Sequence, residues 1–192
     1  NLKYLGEVVI KSTVIPGTTD FMAKKFPNLK LSFVPEFLRE RCAISDFVDN
    51  HDICIIGTNS IESYELIKQS HGNFPQKFIK TTPKEAELCK YFNNVYNATL
   101  ITFANSFYEI CEKLDVNYSN VKDAVINRKH INESYLDCND NFRGFGGVCL
   151  PKDTKAINQL CSTLNIDVNF FQAIIEENDK YLVTVPGGMR KD

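Results

Sequence analysis

The chain has 192 residues, of which 43% are hydrophobic, enough to bury one large core or two small ones. Its 22 basic and 24 acidic side chains leave a net charge of −2, which excludes a basic surface for nucleic acid and a polybasic membrane anchor. Seven cysteines without a Cys-x-x-Cys pair disfavour a disulfide scaffold or a metal site and favour a reducing, cytoplasmic setting. No apolar run approaches the roughly 20 residues that span a bilayer.

The first part of the chain predicts strands that alternate with helices. Short β-branched or apolar runs are typical of buried strands, and they end at turn residues such as Pro16-Gly17. Strands are expected at residues 6–15, 29–34 and 52–57, and helices at 18–26 and 60–69. A polar connector is expected over 70–81. This alternation indicates a parallel sheet.

From residue 82 the pattern becomes helical. Thr82 and Glu85 form a capping box around Pro83, which stands where no backbone donor is missed. Apolar or small residues then recur at helical spacing, at Leu88, Phe92, Val95, Thr99, Phe103 and Phe107. We predict one continuous helix from Thr82 to Lys113, used in a symmetric homodimer because it carries more apolar positions than one face would bury. Shorter helices are expected at 118–127, 154–164 and 168–183.

One cysteine stands between a glycine-rich bend and a helix start. Residues 142–154 read FRGFGGVCLPKDT, with Cys149 just after three glycines. Glycine permits positive φ and close approach to a ligand, and a helix N-terminus next to Lys152 would activate a thiol. The other interpretation is a buried cysteine that acts as a small hydrophobe. The glycines and Lys152-Asp153 favour an active nucleophile.

Four segments in order resemble one enzyme family. GFGGVCLPKDT at 144–154 resembles GFGGSCLPKDT, the active-cysteine signature of the UDP-glucose/GDP-mannose 6-dehydrogenases, and only Val148 departs from it. STVIPGTT at 12–19 is similar to the family's STVPPGTT, and PEFLRE at 35–40 to its NPEFLREG. ELCKYFNN at 87–94 resembles its helical E-L-x-K-x-x-x-N. Lys152-Asp153 argues against the N-acetylmannosamine branch, whose signature resembles GGHCIPVDP.

The resemblance implies a fold and a division into domains. It implies an α/β protein in which a partial Rossmann-like parallel sheet precedes an all-helical central domain with a long connecting helix. Residues 1–81 would be the C-terminal half of the NAD-binding domain, 82–185 the helical domain and 186–192 a tail. No Gly-x-Gly-x-x-Gly turn is present for a dinucleotide. We therefore expect a fragment, split subunit or reduced form, with missing domains on the same or another chain and weak or absent NAD binding by this chain alone.

The same resemblance implies NAD-dependent oxidation of a nucleotide sugar at C6, with UDP-glucose preferred and GDP-mannose second. Cys149 would capture the intermediate aldehyde as a thiohemiacetal and then carry a thioester. Lys90 and Asn94 share a helix face and would stabilise the oxyanion, while Lys90 exchanges the alcohol proton. A solvated polar face is the alternative for this pair. Asp153, one turn after Cys149, would accept a proton or hold a water, or else is an ordinary first-turn acid.

Further roles follow from position in the family. Glu36 would act on the water that cleaves the thioester, Thr13 would lie near the nicotinamide, and Glu40 would contact cofactor and substrate; both glutamates are otherwise surface carboxylates. Cofactor contacts are also implied for Cys149 and Lys152. Substrate contacts are implied for Phe37, Leu38, Lys90, Asn94, Tyr135, Phe142, Gly144, Phe145 and Gly146.

Two departures and two rival functions remain open. His130 begins the segment where UDP-glucose enzymes carry Arg-Ile-Gly, so Arg128 is a candidate for the usual intersubunit arginine. Val34 replaces the asparagine that usually precedes Pro35.

One rival is a non-catalytic module that binds a sugar nucleotide or dimerises. The other is a cysteine acyl-transfer enzyme, which needs a histidine base, and the chain's histidines are His51, His71 and His130.

Overall fold

A four-stranded sheet forms the centre of the first part of the chain. The structure is a computed structural model, and it describes residues 6–39 and 42–181. The strands, which lie side by side in chain order, are β1 (Glu7–Ile10), β2 (Lys30–Phe33), β3 (Ile53–Gly57) and β4 (Lys77–Thr81). The helices between them are α1 (Thr18–Lys25), α2 (Ala43–Val48) and α3 (Ile61–His71). This arrangement confirms the predicted α/β class.

The sheet is mixed rather than wholly parallel. β1 pairs with β2 and β3 with β4 in parallel, because α1 and α3 each return the chain to the same edge. The two pairs meet only at the carboxyl ends of β2 and β3, where Phe33 opposes Gly57 in an antiparallel sense. The connection between these two strands carries the six-residue α2. The prediction of a parallel sheet is therefore correct for each pair and wrong at the centre.

Glycine is what permits the close packing at Gly57. A Cβ at this position would lie 2.6 Å from the Cβ of Ala86 and 2.9 Å from the Cα of Pro83. It would also lie 3.1 Å from the carbonyl oxygen of Phe33. The end of β3 therefore rests directly against the residues that follow β4.

In the first unit, one predicted strand is shorter in the structure, and one predicted connector contains a strand. The first strand ends at Ile10 instead of residue 15, because its partner β2 ends at Phe33, opposite Ile10, and residues 15–18 form a turn. The predicted connector over 70–81 contains β4, whose five residues all pair in register with β3. Lys77–Thr81 (KFIKT) does not alternate polar and apolar residues, so the strand signal in the sequence is limited to the strand-favouring Phe78, Ile79 and Thr81.

The long helix α4 (Pro83–Lys113) is continuous over 31 residues, as predicted, without a break at Asn97. Its capping box is formed: the carboxylate of Glu85 accepts from the backbone N–H of Thr82 at 2.7 Å and from the Thr82 hydroxyl at 2.8 Å. The chain divides into two compact units, and the division falls after Lys90, inside this helix. The predicted domain boundary at residue 82 stays a prediction.

In the second unit as far as residue 181, the regular elements are all helices apart from one isolated bridge between Asn139 and Phe142. After α4 come α5 (Tyr118–Val125), α6 (Cys149–Thr163) and α7 (Phe170–Asn178). One of its core clusters consists of Ala98, Ile101, Phe145 and Ile174. Within the described part of the chain, none of the helices is both long and apolar enough to cross a membrane.

Helix α6 begins at Cys149, five residues before the predicted start at Thr154. Pro151 stands in its first turn, where backbone N–H groups have no partner within the helix, so the ring breaks no helical bond. Helix α7 ends at Asn178, earlier than predicted. The rest of that predicted helix beyond residue 181, and the tail at 186–192, lie outside the described residues.

Candidate active site

Cys149 is exposed at the first position of α6. The segment before it bends at two glycines, Gly144 and Gly147, whose φ angles are 62° and 74°. These left-handed conformations are the ones that glycine adopts without strain. We call residues 143–147 the glycine loop. It delivers the thiol to solvent at a helix N-terminus, as the sequence predicts.

Asp153 lies one helical turn after Cys149, with a side chain that is completely buried. Its Oδ2 accepts a hydrogen bond from Nδ2 of Asn94 at 2.6 Å, and its Oδ1 pairs with Nζ of Lys152 at 2.6 Å. A buried carboxylate requires such partners, because an unpaired charge in the interior is costly. The second unit therefore brings three predicted site residues, Asn94, Lys152 and Asp153, into contact in the helical turn that follows Cys149.

Two asparagines hold the glycine loop. The Oδ1 of Asn105 on α4 accepts from Nε of Arg143 at 2.8 Å and from the backbone N–H of Gly144 at 3.1 Å. Asn178, at the end of α7, accepts from the N–H of Phe145 at 2.7 Å and donates to its carbonyl at 2.9 Å. The sequence analysis assigned a site role to neither of these two asparagines. The sequence of α7, FFQAIIEEN, contains a second amide at Gln172, so no local signal singles out Asn178.

The aromatic residues around the loop differ in their burial. Phe145 is 3% exposed in a core cluster, so its side chain anchors the loop in the protein. Tyr135 packs against that cluster with a φ of 65°. Phe142 and Gly146 are half-buried, and the backbone N–H of Phe142 donates to Asn139. Among the predicted substrate contacts of this unit, Phe145 is therefore the one held deepest in the core.

Arg143 is clamped between two tyrosine rings. Its guanidinium carbon lies 4.6 Å from the ring centroid of Tyr108 and 4.8 Å from that of Tyr181, and it also pairs with Glu109. A hydrogen bond to Asp140 raises the pKa of Tyr108 to about 12. Burial raises the pKa of Tyr181, and a hydrogen bond to Glu177 raises it further. Both phenols therefore stay neutral at physiological pH and serve as ring faces for the cation.

In the first unit, Lys90 lies beside the segment after β2. Its Nζ donates to the backbone carbonyl of Glu36 at 2.6 Å and lies 5.6 Å from the ring centroid of Phe37. The carboxylate of Glu36 pairs with Lys11 at 3.1 Å. Lys11 follows β1, and the carboxyl ends of parallel strands share one edge of the sheet, where α/β folds bind ligands.

The other predicted residues of this unit are placed less fully. Thr13 follows β1 and Leu38 follows β2, and both are half-buried. Glu40, predicted to contact cofactor and substrate, lies outside the described residues. His51 and His71 pack around Phe47, while His130 and Arg128 of the second unit are exposed. Among the residues that the structure describes, no cluster of side chains is suited to a metal ion.

Glu87 is a buried carboxylate at the N-terminus of α1. It accepts hydrogen bonds from the backbone N–H of Gly17, from the N–H of Thr19 at 2.8 Å and from the Thr19 hydroxyl at 2.6 Å. A helix N-terminus attracts anions, and here the protein's own carboxylate takes that place. These amides therefore do not fit the pyrophosphate of a dinucleotide.

The fold is shared with solved dehydrogenases. The UDP-glucose dehydrogenase of the hyperthermophilic archaeon Pyrobaculum islandicum matches with a TM-score of 0.79 at 32% identity, over 90% of this chain and 40% of that one. The sheet and the cysteine-bearing helical unit thus have the Rossmann-like fold of the solved dehydrogenases that this chain resembles.

The sequence matches narrow this class to one family. The model of the UDP-glucose/GDP-mannose dehydrogenase family, central domain, matches residues 84–180, and the chain belongs to this family. It is 35% identical over 185 residues to the UDP-glucose 6-dehydrogenase TuaD of Bacillus subtilis strain 168. It is 32% identical over 181 residues to the GDP-mannose 6-dehydrogenase of Pseudomonas savastanoi pv. phaseolicola. These matches cover 93% and 89% of this chain but only 39% and 41% of those proteins.

Proposed function

We propose that this chain is the substrate-binding and cysteine-bearing part of a cytoplasmic, NAD-dependent nucleotide-sugar 6-dehydrogenase. The observation that carries the proposal is the exposed Cys149 at the start of α6, one turn before the buried Asp153. Asp153 is bonded to Asn94 and Lys152, so the turn that follows the thiol is fixed by polar contacts. The names of the relatives supply the reaction class.

The first oxidation turns the C6 alcohol of the sugar into an aldehyde. NAD, when bound, would accept the hydride that leaves C6, and each of the two oxidations would use its own NAD molecule. Lys90 takes the role of exchanging the alcohol proton, and its ammonium and the amide of Asn94 stabilise the developing oxyanion. The contact of Lys90 with the Glu36 carbonyl supports a fixed position for this ammonium.

Cys149 then retains the aldehyde. The thiolate sulfur forms a bond to C6, and the carbonyl oxygen takes a proton to give a thiohemiacetal. Loss of the second hydride and of the hydroxyl proton leaves a thioester. Water adds to this thioester, the C–S bond breaks, and the products are the carboxylate and the free thiol. Glu36 and Asp153 are assigned to the protons of the water and the thiol.

The described residues fit one end of NAD better than the other. The edge of the sheet after β1 and β2 carries Thr13 and Glu36 and suits the nicotinamide end. The amides at the N-terminus of α1 are taken by Glu87, so they do not serve the pyrophosphate. We therefore expect NAD binding to this chain alone to be weak or absent.

UDP-glucose is the preferred substrate and GDP-mannose the second candidate. Relatives named for each activity match the chain at 35% and 32% identity, so identity alone separates them little. The glycine loop, with Tyr135 and Phe142 before it, is proposed to bind the sugar nucleotide. On the sheet side, Phe37 and Leu38 are proposed to contribute to the same substrate.

A homodimer through α4 is part of the proposal. Phe92 and Phe103 are 78% and 54% exposed in the single chain. Tyr96, Phe107 and Ile110 are exposed on the same helix. A second copy would remove this apolar surface from water.

The alternative of a module that only binds or dimerises is favoured by the exposed face and by Glu87 at the α1 N-terminus.

Replacement of the thiol tests the proposed reaction. In the enzyme with its dinucleotide-binding part present, Cys149→Ser should leave at most one hydride transferred per sugar, because serine does not form the thioester. Cys161→Ser, on the same helix, is the matched control and should keep full turnover. The measurement is NADH formed per UDP-glucose consumed. Two hydrides per sugar in Cys149→Ser would refute the nucleophile.

A further inference from the structure

Phe145 has both of its backbone polar groups bonded to one side chain. Its N–H donates to Oδ1 of Asn178, and its carbonyl accepts from Nδ2 of the same amide. Buried backbone groups need partners, and this residue lies outside any helix or strand that would supply them. The amide of Asn178 therefore replaces the neighbouring strand that a sheet would provide.

The same asparagine limits what can stand beside Phe145. A Cβ on Gly144 would lie 3.1 Å from Oδ1 of Asn178 and 3.4 Å from the Cβ of Tyr181. Gly144 also has a φ of 62°, which side-chain-bearing residues rarely adopt. Asn178 itself is 8% exposed, so its bonds to the loop are shielded from water.

We infer that Asn178 is a positioning residue that sets the path of the glycine loop and, through it, the approach to Cys149. The inference rests on the proposed function, in which Cys149 is the nucleophile. Phe145 precedes Cys149 by four residues, and the intervening chain contains two glycines and no side chain that anchors it in the core. A contact that holds Phe145 thus limits where α6 can begin.

The amide side chain of Asn178 satisfies both bonds at once. It carries a donor and an acceptor on one planar group, whereas an ionised carboxylate only accepts. In Asn178→Asp, one oxygen still accepts from the N–H of Phe145, but the other faces its carbonyl oxygen without a proton between them. The variant is nearly identical in shape, so it removes the pairing and leaves the packing in place.

The matched control is Asn158→Asp. Asn158 on α6 donates to Gln172 on α7 at 2.8 Å, so it also joins two helices, but it is only half-buried and its hydrogen bond is to Gln172 rather than to the loop. Amide hydrogen exchange at Gly144 and Phe145 is measured by NMR, and alkylation of Cys149 by iodoacetamide is measured by mass spectrometry. Both readouts work without turnover.

In Asn178→Asp the Phe145 carbonyl loses its donor and faces a second oxygen, which loosens the whole contact, so we expect exchange at the Phe145 N–H to be about tenfold faster. The alkylation rate of Cys149 should change by about threefold or more, because access sets thiol reactivity. The control should change neither. Unchanged exchange at Phe145, or an equal change in the control, would overturn the inference. If Asn178→Asp does not fold, Gly144→Ala, which crowds the same contact from the loop side, is held to the same outcomes.

The two proposals fail separately. Full two-hydride turnover by Cys149→Ser removes the catalytic role of the thiol, whatever the loop does. Normal exchange and alkylation in Asn178→Asp, together with a Cys149→Ser variant that stops after one hydride, removes only the positioning role. In the active enzyme, turnover of Asn178→Asp should change in step with the alkylation rate.

Discussion

Asn94 donates a 2.6 Å hydrogen bond to Asp153 across 59 residues of sequence, and both side chains are buried. Asp153→Ala would leave this amide without its acceptor. We expect a loss of about 1–3 kcal/mol in the free energy of unfolding, measured with urea. Asp123→Ala, which removes an exposed partner of Lys122, is the control and should cost less than about 1 kcal/mol. Equal losses in both variants would contradict the structural role.

Glu87 should contribute more than the exposed glutamates of its helix. The Glu87 carboxylate accepts from three donors, two of Thr19 and one of Gly17. In Glu87→Gln, an NH2 group replaces one of the two acceptor oxygens and would face a donor. We expect unfolding by urea to show a loss of about 1.5–3 kcal/mol, the range for hydrogen bonds to charged groups. Glu112→Gln, an exposed change on α4, should stay within about 0.5 kcal/mol. If Glu87→Gln left the free energy of unfolding unchanged, the three donors would have found other partners.

Acid should weaken the contact between Arg39 and Asp46. Hydrogen bonds from the Arg39 side chain and backbone lower the pKa of Asp46 below its usual 3.8. Because the folded-state pKa is the lower one, the stabilisation is complete above the unfolded value and disappears as pH falls through the folded value. Asp46→Asn should therefore destabilise the protein by about 1 kcal/mol at pH 7 and by progressively less below about pH 4. Urea titrations of both proteins at several pH values measure this difference, and a constant difference down to pH 2 would contradict it.

Cys149 should be the most reactive of the seven thiols at neutral pH. It is exposed, whereas burial raises the pKa of Cys54 to about 11 and also raises the pKa of Cys89. Thiolate fraction and access control alkylation, so Cys54 should react last among these three. Limited iodoacetamide labelling followed by peptide mass spectrometry gives the order. Faster labelling of Cys54 than of Cys149 would contradict both assignments.

A charge on the exposed face of α4 should abolish self-association. Phe103→Glu would bury a carboxylate in the proposed homodimer, while in the single chain position 103 is more than half exposed. We expect concentration-dependent dimerisation of the parent chain by sedimentation and a monomer for the variant, with an unchanged circular dichroism spectrum. Glu112→Gln serves again as the control and should still dimerise. A parent chain that stays monomeric at high concentration would refute the dimer.

Local signals predicted most of the helical unit. The capping box of Thr82 and Glu85 lies within four residues, so its chemistry can be read without the fold. The same is true of the glycine bend before Cys149. The antiparallel contact of Phe33 with Gly57 depends on how two distant strand pairs meet, and no local pattern carries that information. Asn178 escaped notice for a similar reason, because its partner is a backbone 33 residues away.

The absence of a side chain at Gly57 sets how closely helix α4 packs against the end of β3. The first turn of α4 packs so closely against the backbone of Gly57 that a Cβ at this position would not fit. Lys90 lies less than two turns further along the same rigid element. A shift of about an ångström where α4 packs against Gly57 would therefore displace the Lys90 ammonium by a similar distance. The proposed reaction needs this ammonium in place.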